Sequence, residues 1–311
     1  MDINNLTKTI QKYVGSEAFV LRALSGGYNN AVFEVTSNED ISLIAKVFDS
    51  FMAADREKKA LKFAQEGLDV LAPSVYLAED NVLLIERIEG TPAEYGLHKV
   101  TDKSSFFYSY GKTKALLHSV TFDKYGLFDD CIKPVKTNSE YVKQLFNLSL
   151  AALQKLEFNQ TFLSSQKEFF NKVVTILNSD IGPCLCQHDS GLNNFLVDKT
   201  DLTNIVGVVD FEFADSASAI MDLCYSPRQY DLFKEYLDSI LQGYSSISPV
   251  PESAASLFEI SSWLQSLHWL TNIPDMSWPE LSSSESKQRK LDLQKMLIDR
   301  CNQIIEAFPT I

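Results

Sequence analysis

The 311 residues hold no apolar run of membrane-spanning length, no C-x-x-C pair, no internal repeat and no excess of basic charge. The first absence excludes a transmembrane helix, which needs about 20 largely apolar residues in succession. The opening MDINNLTKTIQKYVG lacks the basic start, apolar stretch and small-residue cleavage site of a secretory signal, so a cytoplasmic location is expected. Five cysteines, Cys131, Cys184, Cys186, Cys224 and Cys301, are an odd number without zinc-type spacing, so buried reduced thiols are expected. Lys and Arg number 28 against 41 Asp and Glu, a formal charge of -13. Such a surface repels phosphate backbones and anionic lipid, so neither nucleic acid nor a membrane is the expected partner. A cationic small molecule suits it, although acidic surface also serves simply to keep a chain soluble.

What is present is an ordinary globular composition, 45% hydrophobic, enough for a sizeable core. Its organisation changes along the chain. After a short amphipathic helix come the strand-like runs AFVLRAL, AVFEVTS and ISLIAKVF, a helical segment from about Ala53 to Glu66, then SVYLAED and NVLLIER. From Ser104 onward helical spacing dominates, as in Phe107, Tyr110, Gly111 and Leu117, and later Leu293, Leu297, Cys301, Ile304 and Phe308. Gly90, Thr91 and Pro92 mark a hinge, dividing residues 1–89, a small antiparallel sheet with one helix, from the mainly helical residues 90–311. The fold class expected is α+β. The short SSSES at 282–286 reads as a loop capping the last helix.

Within the helical part, NFLVD and NIVGVVDFE are joined by polar KTDLTN and read as a hairpin centred near position 202. That register sets Asn194 opposite a position near Asp210, with Asp189 five residues upstream. These hard oxygen donors suit magnesium with bound water better than zinc. In the first part, Gly26 and Gly27 lie between two strands, where glycine would let the backbone close over phosphates. A Gly-Gly hairpin turn equally needs no ligand. Lys46 interrupts the apolar strand SLIAKVF, and Glu57 lies on the inward stripe Ala53, Ala60, Leu61, Ala64 and Leu68 of the following helix. A carboxylate facing a core needs a partner, and Lys46 supplies one. The other arrangement is a lysine on an edge strand with a glutamate at the stripe's margin.

In this order, LSGGYNNAVFEV, LIAKVF, LLIERIEG, GKTKALLHS, HDSGLNNFLVD and GVVDFEFADSASAIMDL resemble the aminoglycoside phosphotransferase and choline-kinase-like family over nearly the whole chain. The resemblance implies the bilobal protein-kinase-like fold and transfer of the gamma-phosphate of ATP or GTP to a hydroxyl of a small, amine-bearing acceptor. Aminoglycosides, macrolides, choline, methylthioribose and homoserine all fall within its range, so antibiotic resistance and metabolism are both open. It implies Asp189 as the catalytic aspartate, with Asn194 and Asp210 as magnesium ligands. Lys46 would contact phosphates and be held by Glu57, under the backbone of Ser25, Gly26 and Gly27, with Asn30 nearby. Glu86 and Ile88 would offer backbone groups to adenine. Asp222, Gln187 and His188 would support the loop, as a monomer or homodimer. Where the family has His-Gly-Asp this chain has Gln187, His188 and Asp189, and Gly-Asp-Pro is missing from ADSASAIMDL. The first change supplies a motive for an alternative, an inactive nucleotide-binding pseudokinase. A glycoside hydrolase using Asp189 and Asp210 would leave Gly26, Gly27, Lys46 and Glu57 without a role.

His98, His118 and His268 are expected to be structural, and Trp263 and Trp269 to be core, with Trp278 in the same region. Glu212, Asp215, Glu235, Asp238 and Glu259 are the acids expected to meet a cationic acceptor.

Overall fold

The computed structural model describes residues 3–15, 19–24, 30–37, 42–67, 70–128, 133–224, 226–276 and 281–308. Helix α1 (Ile3–Val14) leads into strands β1 (Phe19–Leu24), β2 (Ala31–Ser37) and β3 (Ser42–Val47), helix α2 (Phe51–Glu66), and strands β4 (Val75–Glu79) and β5 (Val82–Glu86). The strands form one antiparallel sheet in the order β1-β2-β3-β5-β4. Alternation along β3 sends Leu43, Ala45 and Val47 to one face, where they pack with Leu6, Ile10 and Val14 of α1. Lys46 points to the opposite face, paired in register with Leu83, against the buried Ala60, Leu61 and Ala64 of α2. Helix α2 begins two residues before the expected Ala53 because Ser50 caps it, its hydroxyl accepting the Ala53 N–H at 3.2 Å. Glu57 is fully buried on that helix, whereas Leu68 lies outside the described residues.

The chain then forms β6 (Thr91–Pro92), α3 (Ala93–Gly96) and α4 (Lys103–Leu117), then β7 (Gly126–Leu127), α5 (Asn138–Lys155) and α6 (Gln160–Val173). Strands β8 (Cys184–Cys186), β9 (Phe195–Val197), β10 (Ile205–Val208) and β11 (Asp215–Ala217) follow, and α7 (Tyr230–Glu235), α8 (Leu237–Ser245), α9 (Ala254–Asn272) and α10 (Ser283–Ala307) complete the fold. The segment expected to be a hinge is partly stitched down: Thr91 and Pro92 pair with Val197 and Leu196 of β9. Two cores result. One runs from α2 beneath β8 to α4 and α8. The other surrounds the fully buried Trp263, whose indole N–H donates to Gln166 Oε1 at 2.7 Å, and includes the expected stripe Leu293, Leu297, Cys301, Ile304 and Phe308. Trp269 is half-buried beneath the Arg228 guanidinium, while Trp278 and Cys131 lie outside the described residues.

Helices α4 and α8 approach to backbone contact through two glycines. A Cβ on Gly111 would lie 1.9 Å from the Ile240 carbonyl oxygen, and one on Gly243 would lie 1.9 Å from that of Tyr108. Neither obstacle is a side chain that can rotate away. Gly243→Ala is therefore expected to destabilise the protein by at least about 2–3 kcal/mol, the upper range for overpacking, measured as a lowered urea midpoint. An unchanged midpoint would refute this close approach.

Candidate functional site

Strand β8 carries the chain into a turn containing Gln187, His188 and Asp189. Residues 192–194 then form a single 3-10 turn that opens β9. The hairpin β9–β10 forms with Asn194 opposite Val209, the neighbour of Asp210, as the expected register requires to within one residue. Val208 pairs with Phe195 and Ile205 with Val197, a bulge between Ile205 and Gly207 absorbing one residue. Asn194 consequently faces Val209, whose N–H it accepts at 2.9 Å, and Asp210 begins the next turn at a φ of 69°. The bulge adds local twist and re-aims the strand end.

Asn194 is buried, and its amide nitrogen donates both to Asp189 Oδ2 (2.8 Å) and to the Asp189 carbonyl (3.0 Å). This closes the loop on itself and fixes the carboxylate. Burial, reinforced by the neighbouring Asp210 charge, pushes the Asp189 pKa up to about 7.

Lys46 reaches the same place from the sheet. Its Nζ lies 2.6 Å from Glu57 Oε2 and 2.8 Å from Asp210 Oδ1. Burial opposes its charge, but the Glu57 and Asp210 carboxylates overcome that and raise its pKa, so it stays an ammonium at neutral pH. Asn30 bridges the same gap, donating to Glu212 Oε2 at 2.5 Å, while Arg56 donates to the Glu212 carbonyl at 3.4 Å. Ser25, Gly26 and Gly27 lie outside the described residues. The Glu86 N–H is committed to the Ser74 carbonyl (2.8 Å) and its side chain accepts the Ser74 N–H (3.1 Å), while Ile88 packs over Gly207.

Behind the loop stands Asp222, fully buried. It accepts the backbone N–H groups of Gln187 (3.0 Å) and His188 (2.8 Å), the Lys114 ammonium (2.7 Å), and contact from His118 Nε2 (3.1 Å). Burial opposes its ionisation, yet Lys114 and His118 hold the carboxyl far below the usual carboxylate range. Asp180 sets this residue in place: its carboxylate accepts the Ile220 and Met221 N–H groups at 3.1 and 3.2 Å, fixing the turn that ends in Asp222. The Gln187 side chain donates to the Val209 carbonyl at 2.7 Å, joining the loop to the hairpin. His188 takes a φ of 56°, a left-handed conformation costing a residue other than glycine or asparagine about 1–2 kcal/mol.

Sequence reasoning missed Lys114, Asp180 and Tyr141. Lys114 carried a signal, since it shares the inward stripe of Tyr110, Gly111 and Leu117; Asp180 and Tyr141 carried none. Of the acids expected to face an acceptor, Glu212 is turned towards Asn30, and Asp215 is buried, accepting the Tyr141 hydroxyl and lying 2.6 Å from His188 Nε2. Glu259 is engaged by Lys234 and Tyr230, whereas Glu235 and Asp238 are exposed on α7 and α8. His118, Cys184 and Cys186 form a buried cluster among the described residues. Both ring nitrogens of His118 already have partners, Tyr244 and Asp222, and burial pushes both thiols up.

Removing Asp222 strands Lys114 in the core. Asp222→Ala is expected to cost about 3–5 kcal/mol in denaturant unfolding, with part recovered by adding Lys114→Met. Because the folded pKa is depressed, this contribution is full above the ordinary carboxylate value near 4 and is lost as pH falls towards the folded one. The acid limb of stability should therefore be shallower in Asp222→Asn than in wild type.

Comparison with known proteins adds three structural likenesses. The gentamicin complex of APH(2'')-IIa is 19% identical, covering 97% of this chain and 96% of that one with a TM-score of 0.64. A microcompartment-associated aminopropanol kinase is 16% identical, covering 98% of each chain at a TM-score of 0.64. A thermostable variant of aminoglycoside phosphotransferase APH(4)-Ia, in ternary complex with ADP and hygromycin B, is 14% identical, covering 99% and 100% at a TM-score of 0.64. These likenesses establish the protein-kinase-like fold. No curated protein matches the sequence significantly. The APH phosphotransferase enzyme family model matches residues 20–257, about three-quarters of the chain, and the chain belongs to that family.

Proposed function

We propose that the protein is a small-molecule kinase that transfers the gamma-phosphate of ATP or GTP to a hydroxyl of a small acceptor. The observation that carries this reading is the convergence, at one hairpin mouth, of the ion-pair chain Glu57–Lys46–Asp210 with the Asp189–Asn194 pair. Phosphoryl transfer asks a protein chiefly for positioning and charge neutralisation, and this set supplies both. The ADP ternary complex among the structural neighbours agrees with a nucleotide co-substrate.

The roles proposed are those of the family's pattern, supported, where a residue is described, by its surroundings. Lys46, fixed by Glu57, neutralises phosphate charge; Ser25, Gly26 and Gly27, which lie outside the described residues, would lend backbone groups to the phosphates, with Asn30 following them, and Glu86 and Ile88 would offer backbone groups to the base. Asp189, aimed by Asn194, orients the acceptor hydroxyl and takes its proton. Its raised pKa suits a base acting near neutrality. Asn194, whose amide oxygen accepts the Asn193 amide at 2.8 Å, and Asp210, whose carboxylate is partly open to solvent, are oxygen-bearing side chains at the end of the hairpin, a chemistry that fits magnesium. The ion would neutralise the phosphate oxygens there. Residues 1–89 would thus serve the nucleotide and residues 90–311 the acceptor. The net charge of -13 favours an amine-bearing acceptor through its long-range field. Asp215 and Glu259 already have internal partners, so discrimination would not rest on them.

The test is nucleotide consumption across aminoglycosides, macrolides, amino alcohols and sugars, run separately with ATP and GTP. Asp189→Ala should lower turnover by about 10²–10⁴-fold while the magnesium-dependent shift in melting temperature given by nucleotide persists. Wild-type turnover in that variant would defeat the assignment. A nucleotide shift without transfer from the unaltered protein would identify an inactive binder instead.

A further inference from the structure

His188 immediately precedes Asp189 and adopts a backbone that glycine takes at little cost and histidine does not. Two contacts hold it there. Its N–H donates to Asp222 Oδ1 at 2.8 Å, and its Nε2 lies 2.6 Å from Asp215 Oδ1. Asp215 is only 2% exposed, accepts the Tyr141 hydroxyl on its other oxygen, and sits opposite Cys186 where β8 pairs with β11. It also lies five residues beyond Asp210. The imidazole therefore links the loop backbone next to Asp189 to the strand that follows Asp210.

We propose that His188 is a positioning residue: as an imidazolium clasped by Asp215, it fixes the loop backbone that aims Asp189, so phosphate transfer depends on the His188 charge. The inference rests on the kinase reading for its effect on rate, and on geometry alone for the clasp. A buried carboxylate such as Asp215 requires a counter-charge, and the Tyr141 hydroxyl supplies only a hydrogen bond.

The groups facing His188 are Asp215 on β11, Asp222 on the following turn, Lys114 and His118 on α4, and His268 on α9, with Tyr141 of α5 acting through Asp215. Burial and Lys114 oppose protonation, but the two carboxylates outweigh them and raise the imidazole pKa above its ordinary 6.5. A raised folded pKa means that the clasp is complete below 6.5 and is released as pH climbs through the raised value. Transfer should accordingly decline on the alkaline side.

The experiment compares wild type with His188→Gly, His188→Asn and Asp215→Asn across about pH 5.5 to 9, resolving kcat from the nucleotide KM. His188→Gly relieves the backbone and removes the clasp; kcat should fall about tenfold, KM should change less than about twofold, and the alkaline limb should vanish. His188→Asn, which accepts the left-handed backbone and can donate to Asp215 without charge, should recover part of kcat without restoring the limb. Asp215→Asn should move the limb down towards the free imidazole value. A second measurement needs no turnover. The imidazole C2 proton of His188, identified by its loss in His188→Gly, should titrate above 6.5 in wild type and lower in Asp215→Asn. Titration at or below 6.5 in the folded wild type would overturn the proposal. So would His188→Gly protein with wild-type kcat and an unchanged alkaline limb, and that result would leave the kinase reading standing. A raised titration in a wild-type protein that transfers no phosphate would refute the kinase reading and, with it, the dependence of transfer on His188.

Discussion

The buried carboxylate of Asp222 is the constraint on which the site depends. An isolated charge in a core is unaffordable, so its position dictates what must surround it: an ammonium from α4, an imidazole from the end of the same helix, and two consecutive backbone N–H groups of the loop ahead of Asp189. The loop is thus shaped from behind, by a group that never reaches the cleft. Asp180 extends the same logic one step further, because its carboxylate shapes the turn that presents Asp222.

A second polar chain runs across the cleft. Glu57, Lys46 and Asp210 alternate in sign, so the lysine is held by one carboxylate from the helix of the sheet and another from the hairpin. Asn30 and Arg56 add contacts to Glu212 along the same seam. These are directional contacts between polar groups, unlike the apolar cores on either side.

Much of this was legible in the sequence, for reasons particular to each residue. Lys46 stood out because it interrupts an apolar strand, and Glu57 because it occupies an inward position on a helix whose other inward residues are small and apolar. The stripe along α10 was readable because twenty-five helical residues give periodicity room to show. The bulge near Val206 had one local mark, the glycine of VGVV, which permits a bulge inside a strand without fixing the register that tertiary packing selects. Lys114 is harder to single out, because a lysine within a helical stripe usually lies at its margin. The contact of His188 with Asp215 depends on pairing between two three-residue strands, too short to announce their register.

The paired glycines of α4 and α8 bear on how such a chain can diverge. Their contact is made of backbone, so the spacing of the two helices does not depend on which side chains surround it. Substitution can therefore proceed freely on the outer faces of both helices while α4 keeps delivering Lys114 and His118 to the same point. The cost is that neither glycine has a neutral replacement available to it, and an alteration at one cannot be rescued by an alteration at the other.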